Sequence, residues 1–229
     1  MQDDRTLRLT RLQAQTGLGV GVFLVVHLLA LAASAFGAGN YDAVQEATRP
    51  IYTFWPVELG LLACLAVHLG IGLRLAWGRR ARGSTPTRAP LRLRLHRYAA
   101  YFLTLVIVGH IAATRLPDLI EGSKPGFAGL SFTLWYLPLI FYPYYLLLAL
   151  AGLYHLLHGT TLAMGRLGRP WPAALRKARG FSTLFAVTAI VCVLGWLSLG
   201  GHLYEIPDPR SSSFAAVLEG WGLVAPDAT

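Results

Sequence analysis

Four histidines, His27, His68, His110 and His155, each sit inside an apolar run long enough to cross a bilayer, one per run. An imidazole in hydrocarbon is costly unless it meets a partner or a bound group. Four of them on four successive spans point to two pairs, and a pair of imidazoles is what a six-coordinate haem iron takes. The residue types and their spacing therefore point to a membrane-embedded dihaem centre. In the competing reading, these side chains merely hydrogen-bond between helices. That reading explains any single one more easily than it explains four.

Depth sorts the four into pairs, because two ligands of one iron must lie at one level. His68 precedes Arg79 by eleven residues, and His155 precedes Arg166 by eleven. At a rise of 1.5 Å per residue, both stand roughly 16 Å above the inner arginine belt. Each also opens a similar stretch, HLGIG at His68–Gly72 and HLLHG at His155–Gly159. A glycine four residues on lies on the histidine's own face and leaves room for a flat macrocycle. His68 is accordingly paired with His155. His27 and His110 lie sixteen and thirteen residues beyond Arg11 and Arg97, roughly 20–24 Å from the belt, and form the second pair by elimination, nearer the outer face.

His158 is three residues after His155, adjacent on the helix surface, and competes for the iron. It lies eight residues from Arg166, a poorer match to the level of His68. That favours His155 as ligand, with His158 beside a propionate or a quinone. His96 falls in a basic loop and is expected to be solvated, and His202 is expected at the outer interface. Arg74, two residues past Gly72, and Arg115, five past His110, are candidate propionate partners. Snorkelling is the alternative for both. Glu58, opening the second span, is a candidate proton carrier or simply a solvated carboxylate. Gly17-x-Gly19-x-Gly21 lacks the spacing and strand context of a dinucleotide loop, so close helix packing or haem clearance is the expectation. Gln13, Gln15 and Trp135 are candidates for a quinone pocket, with polar caps and interfacial anchors as equal alternatives.

The elements that must position these groups are five apolar runs, about 16–36, 56–77, 98–116, 134–164 and 181–203. Each reaches the roughly 20 residues that a ~30 Å hydrocarbon layer requires. The fold class expected is an all-α, five-transmembrane-helix bundle, forming one domain over residues 1–229. The 229 residues are 55% hydrophobic and only 14% charged, against about 25% charged in soluble domains. That composition excludes a large soluble core. The net charge of +9 would suggest nucleic acid in a soluble chain, but here the arginines lie between the runs. The first run is too long for the roughly 7–15-residue core of a signal peptide, and it is expected to stay as a membrane helix. Pro138 and Pro143 predict a kinked or tilted start to the fourth run. Segments 40–54 and 117–133 are expected as short surface helices, and AAVLEGWGLV as an interfacial segment anchored by Trp221. Cys64 and Cys192 are far apart inside predicted spans, and no CxxCH occurs. No disulfide framework and no covalently attached haem are therefore expected.

Basic residues cluster before the first run, between the second and third, and between the fourth and fifth. The positive-inside rule then places the N-terminus in the cytoplasm and the C-terminus outside. The loop RRARGSTPTRAP serves as a topology signal, and could also dock a partner or anionic lipid.

These residues resemble the cytochrome b subunit of type B succinate:quinone oxidoreductases and fumarate reductases, a five-helix dihaem membrane anchor. The matching stretches are TGLGVGVFLVVH ending at His27, AVHLGIGLR around His68, RYAAYFLTLVIVGHIAATR around His110 and YHLLHGTTLAMGRLG around His155. The resemblance covers about residues 12–203. It implies two haem b groups, with His27 and His110 on the outer and His68 and His155 on the inner. It also favours His155 over His158, since the family's fourth ligand precedes a glycine by four residues; the extra histidine is a departure. Implied further are a quinone substrate, menaquinone or ubiquinone, and a place in the bacterial cytoplasmic membrane. A flavoprotein and an iron–sulfur subunit would dock on the cytoplasmic face, forming complex II of the tricarboxylic acid cycle, open to a higher oligomer. Succinate chemistry would belong to those partners.

Two other classes compete. One is the dihaem anchor of a hydrogenase, formate dehydrogenase or nitrate reductase, which shares the histidine logic but serves other soluble subunits. The other is a cofactor-free transporter with histidine relays, which a reduced-minus-oxidised spectrum separates at once.

Overall fold

A computed structural model describes residues 2–81, 83, 89–169, 171–206 and 208–225, without the side chains of residues 2 and 3. Arg82 and Arg88 of the basic loop lie outside the described residues. Helices account for all the regular structure described: α1 (Gln2–Ser34), α2 (Ala38–Tyr52), α3 (Trp55–Ala81), α4 (Leu91–Glu121), α5 (Phe127–Tyr136), α6 (Pro138–Arg166), α7 (Ala173–Arg176), α8 (Ala178–Leu199), a 3₁₀ turn (Pro209–Ser211) and α9 (Ser213–Gly220).

Among the described residues, five helices of 22 to 31 residues are long and apolar enough to cross a membrane: Asp4–Ser34, Trp55–Ala81, Leu91–Glu121, Pro138–Arg166 and Ala178–Leu199. Their apolar side chains are largely exposed, as at Val22, Leu105, Val108 and Leu139, the last 91% accessible. Water would penalise such a surface at every point, whereas hydrocarbon satisfies it. The helical hydrogen-bond ladder meets the backbone's needs without water.

The expected fourth run is two helices, a correction to the continuous span over 134–164. The break falls at Leu137, with φ −130° and ψ 66°. Leu137 precedes Pro138, whose ring disfavours helical backbone in the residue before it, while proline itself fits the first position of the next helix. Pro143 stays inside α6. The expected 117–133 surface helix is also shifted, because Pro117–Glu121 continues α4 and only Phe127–Tyr136 forms α5. Glycines with φ of +64° and +75° stop α6 and α8, at Gly168 and Gly201. In each case the next residue's N–H reaches back five residues, Arg169 to Met164 at 3.0 Å and His202 to Leu197 at 3.0 Å, the bond that caps a helix carboxyl end.

The chain clusters into two compact units. The first comprises 1–27, 48–104 and 150–189, and the second 28–47, 105–149 and 190–229. In the first unit, buried Ala14, Ile71, Ala99, Leu153, Tyr154, Ala163 and Phe181 supply the packing. In the second, Ala30, Tyr41, Phe127, Leu134 and Leu199 form one apolar cluster, and Phe132, Ala215 and Val224 another. Polar pins hold the second unit. Tyr204 donates to the Ser34 carbonyl at 2.6 Å, the Asp42 carboxylate accepts from the Phe127 N–H at 2.9 Å, and Trp221 Nε1 donates to Glu121 at 3.3 Å.

Candidate functional site: a histidine cluster in the first unit

His68 on α3 projects towards α1. Its Nδ1 lies 3.0 Å from the backbone carbonyl of Gln13. A carbonyl only accepts, so this contact requires the proton on Nδ1 and leaves Nε2 as the free lone pair. The approach exists because residue 17 is glycine. A Cβ there would lie 2.6 Å from Cε1 and 2.8 Å from Nδ1 of His68. Gly19 faces Cys64 and Gly21 faces Leu156, so the three glycines of α1 serve close helix packing, one of them directly under a histidine.

His155 on α6 lies with its ring centre 6.0 Å from that of His68, the planes at 87°. Its Nδ1 is buried without a hydrogen-bond partner. Among the candidate iron pairs, this is the one that the first unit brings together. His96 joins it, and the expectation of a solvated loop residue is wrong. Helix α4 begins at Leu91, seven residues before the apolar run, so His96 is helical. It stacks flat on His155 at 4.3 Å and 5°, and meets His158 edge-on at 5.3 Å and 75°. A Cβ at Gly159 would lie 3.3 Å from His96 Cε1, so the space beside His155 that Gly159 opens is taken by His96. The equivalent space at Gly72 faces Gln13 Nε2 at 3.2 Å. His158 is 7% exposed, with both ring nitrogens buried and without hydrogen-bond partners. Tyr154 and Phe181 flank it.

The two remaining sequence candidates lie in different units. His27, in the first, stacks on Phe23 at 5.6 Å, and Phe23 meets Tyr52 edge-on. His110, in the second, has Nδ1 3.5 Å from the Tyr144 hydroxyl. Of the candidate propionate partners, Arg74 is exposed, and Arg115 is paired with Asp118 one turn along its own helix. Glu58 sits in the first turn of α3. Gln15 is exposed, and Trp135 carries the Arg210 guanidinium 5.3 Å above its ring. His202 bonds the Tyr142 hydroxyl through Nε2 at 2.9 Å.

Sequence reasoning missed three contributors. Arg166 NH1 donates to Gln13 Oε1 at 3.2 Å, so this cation touches the residue that holds His68. Arg92 lies over the Phe181 ring at 4.0 Å. His96 carried a signal in its spacing: it precedes His110 by fourteen residues, close to four full turns at 3.6 residues per turn, which puts both near one face of a single helix.

The donor set tests whether a haem fits. Two imidazoles with ring centres about 6 Å apart could hold one metal ion between them at about 2 Å from each. The His68–His155 separation of 6.0 Å agrees with that. The Nδ1 contact of His68 is the outer hydrogen bond that a ligating imidazole ordinarily makes. Among the described residues no group of three or more His, Cys, Asp or Glu converges on a single metal ion. The chain matches no known protein family, no curated protein and no solved structure.

Proposed function

We propose that the chain is a dihaem b membrane anchor of the succinate:quinone oxidoreductase or fumarate reductase class. It would join cytoplasmic flavoprotein and iron–sulfur subunits to membrane quinone. The observation that carries this reading is the His68–His155 juxtaposition, at 6.0 Å with Nδ1 of His68 committed to the Gln13 carbonyl. His68 and His155 would hold the inner haem, His27 and His110 the outer. The chemistry that bound haems supply is reversible one-electron transfer.

The chain's own residues do the positioning. Gln13 fixes the tautomer and orientation of His68, Gly17 makes that approach sterically open, and His96 braces the face of His155. Arg166, touching Gln13, is a better placed counter-charge for a propionate than exposed Arg74. Charge distribution supports the proposed orientation. The acidic residues of the first unit are Asp3, Asp4 and Glu58 against most of the arginines, whereas the second has only Arg115, Lys124 and Arg210 as its cations. Under the positive-inside rule, the first unit's basic ends belong to the cytoplasmic side of a bacterial membrane.

The test is a haem count per purified chain, with its absorption spectrum, for wild type and for alanine at positions 27, 68, 110, 155 and 158. Two haems are expected in wild type, one in each of the first four variants, and two in His158→Ala. A colourless chain, or one iron per molecule, overturns the proposal. Loss at 158 with retention at 155 reverses that assignment. Co-purification with a covalent flavoprotein, rather than with a nickel or molybdenum protein, separates this class from the related dihaem anchors.

A further inference from the structure

Beside the proposed iron ligands, the first unit buries hydrogen-bond donors that nothing among the described residues answers. Arg92 sits in the first turn of α4. Its NH1 donates to the Arg176 carbonyl at 3.2 Å, while Nε and NH2 are buried without hydrogen-bond partners among the described residues. Phe181 lies under the guanidinium at 4.0 Å, and the same ring meets His158 at 5.7 Å. His158 is more than nine-tenths buried, with neither ring nitrogen bonded among the described residues. The Tyr154 hydroxyl donates to the Arg92 carbonyl at 3.3 Å, which ties the start of α4, carrying Arg92, to α6, carrying His158.

A guanidinium whose Nε and NH2 are both buried is expensive unless those N–H groups meet an acceptor. The partial positive charge of a helix amino end raises that cost and is relieved only by negative charge. Of the unit's described carboxylates, Asp4 is paired with Arg8. Glu58 opens α3, at the end of that helix opposite the basic Arg79–Ala81 turn. A stacked arginine and a neighbouring imidazole present several donors to one group, the arrangement that suits an oxyanion.

We propose that Arg92 and His158 form an oxyanion site, taking one carboxylate or phosphate group at the amino end of α4, next to the iron ligands and separate from them. This gives His158 a role that does not compete with His155. Two sources carry the required chemistry: a haem propionate or the phosphate of an anionic lipid. The propionate source rests on the dihaem reading above, whereas the lipid source does not.

The experiment compares wild-type full-length chain with Arg92→Gln, Arg92→Lys and His158→Gln, using exposed Arg74→Gln as control. Native mass spectrometry counts the phospholipid molecules retained after detergent washing, and a redox titration reads the midpoint potential of each haem. A lipid source predicts loss of one retained phospholipid in Arg92→Gln, with both midpoints unchanged. A propionate source predicts an unchanged lipid count and a lowered midpoint for one haem, since removing a cation beside the carboxylate disfavours the extra electron. Under either source Arg92→Lys restores part of the effect, His158→Gln shows a smaller one, and Arg74→Gln shows none. Should Arg92→Gln not fold, Arg92→Lys and His158→Gln carry the comparison. Unchanged lipid count and unchanged potentials in every folded variant overturn the site. A wild-type chain without haem sinks the dihaem reading instead, and the lipid count still decides whether the site exists.

Discussion

Replacing Gly17 with alanine isolates the link between helix packing and the proposed ligand geometry. The new Cβ would lie 2.6 Å from Cε1 and 2.8 Å from Nδ1 of His68, and ordinary contact begins at 3.4 Å, so the ring or the helix must retreat by about 0.8 Å. Nδ1 already sits 3.0 Å from the Gln13 carbonyl, and a retreat of that size takes it past hydrogen-bonding range. Overpacking of this kind costs about 1–3 kcal/mol, and the lost hydrogen bond about 1 kcal/mol more. Better helix propensity of alanine over glycine returns about 1 kcal/mol. The net destabilisation is therefore about 1–3 kcal/mol. Disturbing the outer hydrogen bond of a metal-ligating imidazole typically weakens metal binding about 10–100-fold.

Gly19→Ala is the internal control. It lies on the same helix and makes the same chemical change, but its Cβ would meet only Cys64 Sγ, at an ordinary 3.5 Å. Haem content per chain and thermal unfolding in detergent measure both variants against wild type. Gly17→Ala should lose or loosen one haem and melt earlier, while Gly19→Ala keeps both haems and melts no earlier than wild type. If Gly17→Ala retains two haems with unaltered spectrum and midpoints, His68 is not held for ligation by Gln13, and the inner pair loses its structural basis.

Two further perturbations probe the second unit. A Cβ at Gly195 would fall on the Leu31 carbonyl and lie 2.9 Å from Ser34 Oγ, so Gly195→Ala should lower the melting temperature by the equivalent of about 1–3 kcal/mol. Tyr204→Phe removes the 2.6 Å bond to the Ser34 carbonyl and should cost about 1 kcal/mol. Both are read by thermal unfolding, and a haem count unchanged in Tyr204→Phe would show that its effect is confined to stability.

The five spans were legible because apolar runs of this length, separated by arginines, seldom arise except in membrane helices. Helices of sufficient length and apolarity occupy all five. The boundaries were less legible, since an apolar run marks the part of a helix suited to hydrocarbon rather than the whole helix. The charged segments Arg5–Arg11 and Leu91–Arg97 continue α1 and α4, and hydropathy is blind to them. At Leu137 Pro138 pointed to a kinked start, but the unbroken apolar run gave no sign of the full helix break that the Leu-Pro step imposes. Depth counted from arginines was enough to place His68 and His155 together, because α3 and α6 carry them in regular helix to the same basic belt.

His96 shows why the rest was not legible. Its neighbours in sequence are Arg92, Arg94 and Arg97, which pointed to a solvated loop, yet one side of that basic turn faces α6 and carries both Arg92 and His96 inward. Glycine four residues after His155 suggested space for a macrocycle, and part of that space belongs to another imidazole. Three rings on this flank, His155, His96 and His158, then divide by the rings each one meets. Among the described ring contacts His155 is the one of the three that meets His68, while His96 covers its face and His158 meets Phe181 edge-on. Substituting His96 with alanine should therefore keep the haem count but change the spectrum or midpoint of one haem, since the brace on His155 is lost and the ligand remains. A full loss of one haem would instead make His96 the ligand and leave His155 as its brace. Only the ring contact with His68, invisible to residue spacing, distinguishes the proposed ligand from its neighbours.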